Sequence, residues 1–279
     1  MYARLVPLRK GKLRLINALW STAIGDKETT RIATLKYGAV RLPCDLREDL
    51  QRQFYFFGTY FVEEQNLSCW RRYASDAKVV FDVGANLGIY SFAALAAAPD
   101  ATVHAFEATP EIANQLREAT VRNDLRRLHV HAVAVSSRVG FANLNRCRGE
   151  MGTNGGMNFI SIRASEGDPD CVPTIRLDDF CEEYAIDRID LLKIDVQGHE
   201  ADVLEGAERL LSAGRVGVIL FELNWAHNSR RECPALRSVR LLERHGYRFS
   251  SPGREPRWRR SGEWMHALSD AIARQAGEG

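Results

Sequence analysis

The sequence lacks the patterns that would assign it to several common classes of protein. Its six cysteines are scattered through 279 residues, and no two form a C-x-x-C pair, which argues against a structural zinc site. No apolar run near the start is long enough for a signal-peptide core or a membrane span. Lys and Arg number 38 and Asp and Glu number 36, so this is no polyanion-binding protein whose affinity rests on net charge. We expect a cytoplasmic protein with reduced thiols.

The chain is ordinary in composition, with 45% hydrophobic and 27% charged residues, which is typical of a globular protein. We predict an N-terminal cap segment over residues 1–75 and a main domain over 76–279. The Gly-, Asn- and Asp-rich stretch 139–172 is predicted to be an insertion that shapes a substrate pocket. Residues 1–20 mix basic and apolar side chains, and we expect them to pack on the main domain as a helix. The alternative is a helix in contact with a membrane surface.

Short apolar runs alternate with helix-like segments from Lys78 onward, which predicts β-α-β units and a parallel sheet. The predicted strands are Val79–Phe81, Ala101–Phe106, His129–Ala134, Leu191–Ile194 and Val216–Phe221. The predicted helices are Ser91–Ala98, Glu111–Val121, Glu200–Leu211 and Pro234–His245. Tyr247–Ser250 and Glu263–Leu268 are predicted to close the domain as a hairpin.

Four carboxylates come where predicted strands end. They are Asp82, Glu107, Asp195 and Glu222. Because the carboxyl ends of parallel strands meet at one edge of a sheet, we expect these acids to lie along a single rim, where open α/β sheets bind ligands. Carboxylates beside buried strands need partners, which favours a cationic or hydroxyl-rich ligand. The alternative interpretation is that each acid only caps the helix that follows it.

The first strand leads into the loop Asp82-Val-Gly-Ala-Asn-Leu-Gly88, of the form D-x-G-x-N-x-G. Its glycines are expected to let the backbone approach a ligand closely. The dinucleotide pattern G-x-G-x-x-G is absent, and Asp82 would repel a phosphate. Glu107, 25 residues after Asp82, occupies the position from which an acid binds ribose hydroxyls. A ligand with a small carboxylate, a positive centre and a ribose fits this loop, and S-adenosyl-L-methionine has all three.

A second group of polar residues lies in Asp190-Leu-Leu-Lys-Ile-Asp-Val-Gln-Gly-His-Glu200. Lys193 and Asp195 are two apart on a strand and therefore share a face. A lysine in an apolar strand needs an acidic partner, and Asp195 or Glu222 can serve. His199 is either a catalytic imidazole or a surface side chain, and Glu200 either a site residue or a carboxylate that complements the helix dipole.

At these residues the sequence resembles the FkbM family of S-adenosylmethionine-dependent methyltransferases, over roughly residues 42–225. The most specific stretches are Val80–Ser91, Thr174–Asp179 and Leu192–Glu200, and Phe54–Tyr60 resembles the segment that precedes the domain. The resemblance implies an α/β, Rossmann-like class I methyltransferase fold with a helical cap. Its sheet would have seven mostly parallel strands, the last antiparallel, with helices on both faces. It also implies transfer to a hydroxyl of a sugar, glycan or secondary metabolite. Many members carry Glu where this chain has Gln197, so a carboxylate role there does not transfer.

The strand ends and the resemblance together give a predicted site. The predicted catalytic residues are Asp195, His199, Lys193 and Glu222, with Asp195 or His199 as the general base. The predicted cofactor-binding residues are Phe81, Asp82, Gly84, Ala85, Asn86, Gly88, Glu107, Ala108 and Ala134. No metal is assigned; a magnesium-assisted variant would use Asp195, Glu222 and Asn224.

Other functions remain as alternatives to this prediction. One is a nicotinamide-dependent oxidoreductase, disfavoured by the missing dinucleotide glycines, and another is a methyltransferase-like module without catalysis. Nucleic acid is not an expected partner, because no Asn-Pro-Pro-Tyr motif or stripe of basic and aromatic residues occurs. The expected partner is a small-molecule or glycan acceptor, and the sequence leaves the oligomeric state open. A group of aromatic residues in the cap either packs it or lines a substrate pocket, and packing is favoured: Phe54, Tyr55, Phe57, Tyr60 and Phe61.

Overall fold

The computed structural model describes residues 30–60, 63–146, 148–149, 152–153, 158–161, 170–223, 234–252 and 270–275. In these ranges the strands are β1 (Thr30–Thr34), β2 (Arg41–Asp45), β3 (Val79–Val83), β4 (Thr102–Phe106), β5 (Leu128–His131), β6 (Ala134–Val135), β7 (Gly140–Asn145), β8 (Arg148–Gly149), β9 (Gly152–Thr153), β10 (Phe159–Ser161), β11 (Cys171–Ile175), β12 (Ile189–Ile194), β13 (Val216–Glu222), β14 (Tyr247–Ser250) and β15 (Asp270–Gln275). The helices are α1 (Asp49–Phe57), α2 (Glu64–Ala74), α3 (Ile89–Ala97), α4 (Pro110–Arg122), α5 (Leu177–Glu183), α6 (Glu200–Glu205), α7 (Glu208–Ser212) and α8 (Pro234–Arg244).

Seven strands form one sheet in the order β5-β4-β3-β12-β13-β15-β14. Neighbouring strands from β5 to β13 are parallel, whereas β15 runs antiparallel to both β13 and β14. The chain starts this sheet at β3, adds β4 and β5 on one side, and then crosses to β12 and β13 on the other. The strand order therefore reverses between β3 and β12, which is where such sheets bind ligands. This topology confirms the expected class I methyltransferase fold, including its antiparallel last strand.

Alternate residues of the strands enter two separate hydrophobic cores, one on each face of the sheet, as the period of two requires. Val80 of β3 belongs to a core that includes Phe54 of α1, Trp70 of α2 and Leu116 of α4. The next residue, Phe81, belongs to a core with side chains from α5, α6 and α8: Phe180, Leu204 and Leu242. Helices therefore cover both faces, as expected.

The N-terminal segment contains the helices α1 and α2 that the predicted cap required, and also an antiparallel hairpin of β1 and β2 that was not predicted. Leu42 and Cys44 are buried on one side of β2, and Gly38 has a φ of 74° in the connecting turn. The indole nitrogen of Trp70 donates to the carbonyl of Tyr90 at 2.9 Å and fastens α2 to α3. The predicted helix or membrane contact of residues 1–20 lies outside the described residues, and the boundary at 75 stays a prediction.

The predicted insertion 139–172 contributes β7, β10 and the start of β11 to a second, four-stranded sheet in the order β10-β7-β11-β6, which β6 and the rest of β11 complete. The predicted strand His129–Ala134 is wrong as a single element, because the chain leaves the main sheet after His131 and Ala134 pairs with Thr174 of β11. A small core of alternating apolar residues lies beneath this sheet: Ala134, Ala142, Leu144, Ile160 and Val172. We call β6, β7, β10 and β11 the small sheet.

One further prediction is corrected by the structure. The predicted helix Glu200–Leu211 divides into α6 and α7 at Gly206, where a Cβ would lie 2.1 Å from the carbonyl oxygen of Ser136. β14 pairs with β15, Asp270–Gln275; the predicted strand Glu263–Leu268 lies outside the described residues. Within the described ranges, no helix combines the length and apolar character that a bilayer crossing requires.

Candidate active site

Two cavities open at the carboxyl edge of the main sheet and meet at four residues: Gly84, Asn86, Asp195 and Gln197. These residues belong to the loops that follow β3 and β12, at the point where the strand order reverses. We call the two spaces the Glu107 cavity and the Glu222 cavity, each after an acid that lines it and not the other.

The loop after β3 is held by its neighbours through backbone contacts. The amides of Gly84 and Ala85 donate to the carbonyl of Phe106 at 2.9 and 3.0 Å. A Cβ on Gly84 would lie 1.9 Å from the backbone oxygen of Asp195, and one on Gly88 would lie 2.4 Å from Cδ1 of Leu116. The glycines were predicted to allow close approach of a ligand; the close approach in this structure is to other parts of the protein.

Asp82 lies within β3 rather than after it, and its side chain is completely buried. Its Oδ2 accepts hydrogen bonds from the amide and the hydroxyl of Ser91 at 3.0 and 2.7 Å, whereas its Oδ1 finds no hydrogen-bond donor among the described residues. Burial raises the pKa of this carboxyl, and the charge of Lys193, 4.0 Å away, opposes the change. Asp82 is therefore a buried residue of β3 and is not among the residues that line the cavities.

Lys193 carries a buried positive charge between acids. Its Nζ donates to Oδ2 of Asp195 at 3.0 Å and lies 4.5 Å from the ring centroid of Tyr90. Burial lowers the pKa of Lys193, but the charges of Asp195 and Asp82 outweigh that effect and raise it above its ordinary value. The lysine is therefore protonated at neutral pH, and it lines the Glu222 cavity.

Gln197 joins the two acids at the ends of β12 and β13. Its Nε2 donates to Oδ1 of Asp195 at 3.0 Å and to Oε2 of Glu222 at 3.3 Å. Gln197 has a φ of 55°, a conformation that is uncommon for a residue with a side chain. Glu200 stabilises this loop, because its Oε1 accepts from the amides of Val196 and Gly198 at 3.3 and 3.0 Å. Asp195 is thus held on one oxygen by a lysine and on the other by an amide.

The Glu107 cavity is lined by a carboxylate in a fixed orientation. Oε2 of Glu107 accepts from the amide of Asn86 and Oε1 from the amide of Thr109, each at 2.8 Å. Burial raises the pKa of Glu107, and these two amides oppose the change. The remaining walls are largely apolar and include Ala108, Val133, Ala134, Leu144, Phe159 and Ile160. The free space is about 80 Å³.

The Glu222 cavity is larger, about 300 Å³, and its outer wall comes from the N-terminal segment. Leu50, Phe54, Tyr60 and Glu63 line it from that side. Oε2 of Glu63 accepts from the hydroxyl of Tyr90 at 2.6 Å, and burial, followed by the charge of Glu63, raises the pKa of Tyr60. Phe54 both packs in the core and lines the cavity. Glu63 was not predicted as a site residue, because acids at the start of a helix are commonplace and indicate no particular function.

The structure separates some predicted site residues from the rest. Phe81 is buried in the core, with ring centroids 5.3 Å from Phe106 and 5.7 Å from Phe180. His199 precedes α6. Burial lowers the pKa of its imidazole; the charge of Asp202 opposes this change, and the charge of Arg237 adds to it. Neither residue, nor Gly88, is among those lining the two cavities. Apart from these three and Asp82, the predicted site residues line one or both cavities: Gly84, Ala85, Asn86, Glu107, Ala108, Ala134, Lys193, Asp195 and Glu222.

In the described part of the chain, this edge of the sheet has no cluster of metal ligands. No three His, Cys, Asp or Glu side chains there converge as metal ligands would. The magnesium alternative also required Asn224, which lies outside the described residues. The ammonium of Lys193, 3.0 Å from Asp195, would repel a cation bound by that carboxylate.

The strand order and the two cavities define a class I methyltransferase-like domain, and comparisons with known proteins agree. A model of the methyltransferase FkbM domain matches residues 82–249, more than half of the chain. The chain belongs to the FkbM methyltransferase family.

Two relatives illustrate the similarity. The 2-O-methyltransferase NoeI of Sinorhizobium fredii is 32% identical over 148 residues, which cover 49% of this chain and 60% of NoeI. The 31-O-demethyl-FK506 methyltransferase FkbM of Streptomyces tacrolimicus is 32% identical over 168 residues, 50% of this chain and 64% of that protein. The chain thus matches less than two thirds of either relative.

A solved O-methyltransferase from Bacillus cereus, in complex with SAH, aligns with a TM-score of 0.41 and 12% identity, covering 76% of this chain and 79% of that one. The fold assignment rests on the strand order rather than on this likeness.

Proposed function

We propose that this chain is an S-adenosylmethionine-dependent O-methyltransferase that acts on a hydroxyl of a sugar, glycan or secondary metabolite. The observation that carries the proposal is the meeting of two chemically different cavities at Asp195. One cavity presents a fixed carboxylate and apolar walls, and the other presents acids, a lysine and aromatic rings. Membership of the family supports the same conclusion, as does the O-methylation in the names of both relatives.

The Glu107 cavity fits the nucleoside part of the cofactor. A carboxylate at the end of the second strand binds ribose hydroxyls in this type of sheet, and the amides of Asn86 and Thr109 hold that of Glu107 in place. Ala108 and Ala134 provide small apolar walls suited to a planar base. The free space inside this cavity is about 80 Å³. When bound, S-adenosylmethionine supplies an electrophilic methyl group on a sulfonium.

The Glu222 cavity fits an acceptor with hydroxyl groups and an apolar face. Glu63, Asp195 and Glu222 supply hydrogen-bond acceptors, while Phe54 and Tyr60 supply apolar surface. Since its walls come from the N-terminal segment and from β12 and β13, the acceptor would be held between these elements. Positioning of reacting groups can contribute about 7–11 kcal/mol to a rate enhancement.

Asp195 is the proposed general base. It borders both cavities, so its carboxylate can accept the acceptor's hydroxyl proton as that oxygen becomes a nucleophile. Gln197 and Lys193 fix the two carboxylate oxygens, and the positive charge of Lys193 favours an oxygen that is losing its proton. A positioned base contributes about 10²–10⁴-fold to the rate. His199, the other predicted base, is outside the lining of both cavities.

Two measurements test the proposal. Calorimetric titration with S-adenosylmethionine and with NADH should give binding of the first and none of the second; the reverse would support an oxidoreductase. A mass-spectrometric screen with cofactor labelled in its methyl group should then show gain of the labelled methyl on hydroxylated glycans or metabolites. Binding without transfer to any acceptor would instead favour the non-catalytic module.

A further inference from the structure

The small sheet contributes a wall to the Glu107 cavity but none to the Glu222 cavity. Leu144, Asn158, Phe159 and Ile160 line the former, and none of them is among the residues lining the latter. The sequence predicts that the stretch 139–172 shapes the acceptor pocket, and this stays a prediction; under the proposed function, the cavity that its described residues line is the one for the cofactor.

Two side-chain contacts hold this wall against the loop that carries Glu107. Nδ2 of Asn158 donates to the hydroxyl of Thr109 at 3.3 Å. The guanidinium of Arg146 donates to both carboxylate oxygens of Glu111 at 3.0 and 3.1 Å. Thr109 in turn donates its amide to Glu107. The small sheet and the carboxylate therefore keep a defined relative position.

The two aromatic residues that line the Glu107 cavity differ in what surrounds them. Phe106 is 1% exposed and packs on Phe81 and Phe180. Phe159 is 42% exposed, although an aromatic ring gains considerably from burial. Phe159 therefore presents an uncovered aromatic face at the edge of the Glu107 cavity.

We propose that Phe159 is the residue that contacts the purine base of the cofactor, with the base lying between its ring and the apolar wall formed by Ala108, Val133 and Ala134. This inference rests on the proposed function, since it names the part of the chain that recognises the nucleoside. Stacking of a base on an aromatic side chain is favourable for any base, and a stacked base would cover the exposed ring of Phe159.

Calorimetric titration with S-adenosylhomocysteine, which binds without turnover, tests the role of Phe159. Phe159→Ala should weaken binding about tenfold or more, and Phe159→Tyr should restore it because the ring is retained. Phe141→Ala is the matched control: Phe141 lies on the same sheet and is 37% exposed, but is not among the cavity's lining residues. It should bind like the wild type.

The base itself is tested by S-ribosylhomocysteine, measured by competition against S-adenosylhomocysteine. This ligand keeps the ribose and the amino acid but has no purine, so Phe159→Ala should leave its affinity unchanged. Equal or tighter binding of S-adenosylhomocysteine by Phe159→Ala, or equal losses for both ligands, would overturn the inference. If the wild type binds no S-adenosylhomocysteine at all, the proposed function itself fails.

Discussion

Gly84 packs directly against the backbone of Asp195. A Cβ added to Gly84 would lie only 1.9 Å from the carbonyl oxygen of Asp195. The amide of Asp195 also donates to the carbonyl of Val83 at 3.0 Å, so the loops after β3 and β12 touch along their backbones. Through this contact the glycine of the first loop determines where the carboxylate of Asp195 can lie. The two cavities meet at this junction.

Substitution of Gly84 should disrupt this junction. Gly84→Ala is expected to lower both the free energy of unfolding and turnover, because the new methyl group overlaps Asp195 and because φ is +76°. Gly246→Ala is the matched control: Gly246 has a φ of +80° with nothing within 4 Å of an added Cβ, so it bears only the backbone cost of about 1–2 kcal/mol. Denaturant unfolding and turnover are measured for both. Equal losses in the two variants would show that the contact with Asp195 is unimportant.

Removal of the proposed base should lower turnover rather than cofactor binding. Asp195→Asn retains the size of the side chain but cannot accept the hydroxyl proton, so kcat should fall about 10²–10⁴-fold. Its affinity for S-adenosylhomocysteine should change little. His199→Gln should retain most of the activity, since His199 is not in the lining of either cavity. Full turnover by Asp195→Asn would refute the assignment, and a large loss only in His199→Gln would transfer the role to the histidine.

Glu107 should be needed for cofactor affinity. Glu107→Gln loses the charged acceptor that faces the cavity, and a hydrogen bond to a charged group is worth about 1.5–3 kcal/mol. The dissociation constant for S-adenosylhomocysteine should rise accordingly, with Glu118→Gln, an exposed residue of α4, as the control. Thermal unfolding without ligand separates this effect from damage to the loop, since one of the two amides bound to Glu107 loses its partner. Unchanged affinity would exclude the ribose role.

The histidines on β4 and β5 should make the protein acid-sensitive. Burial, followed by the charges of neighbouring histidines, lowers the pKa of His104 to about 3, and burial, with His129 and Arg117, lowers that of His131 to about 4. Well above pH 6.5 both histidines are neutral in the folded and in the unfolded chain, so neither lowers the free energy of unfolding. As pH falls below 6.5 the unfolded chain binds protons that the folded chain does not. Stability should then decline by up to about 1.4 kcal/mol per pH unit for each histidine.

Denaturant unfolding between pH 7 and 4 measures this decline. His104→Gln should reduce the slope relative to the wild type, whereas a change at the exposed His129, His129→Gln, should alter it less. Parallel stability curves for the wild type and His104→Gln would contradict the prediction.

The order of the main parallel strands in the sheet was expected only from the family resemblance. Their existence could be predicted because each one is a short apolar run followed by a turn, and parallel strands share an edge. For the same reason Glu107, Asp195 and Glu222 were placed correctly together. Asp82 was not, because a carboxylate one residue inside a strand differs little in sequence from one just after it. Its burial depends on Ser91 and Lys193, which only the fold brings near.

The site residues that were not predicted lie in segments without a regular alternation of strands and helices. Glu63 reaches its cavity through the packing of α2 on α3, and Phe159 through the pairing of β10 with β7. Both contacts are long-range, and neither residue stands in a motif. The sequence correctly indicated that Gly84 and Gly88 allow a close approach, but not what approaches them. Both glycines make room for protein atoms that are distant in sequence.

The outer walls of the two cavities are encoded by stretches of chain that do not overlap, residues 50–63 for one and 144–160 for the other. Under the functions proposed here, mutations that alter which alcohol is recognised need not touch the surface that holds the nucleoside. Proteins with this architecture can therefore change their acceptor through substitutions in the N-terminal segment and keep the same methyl donor.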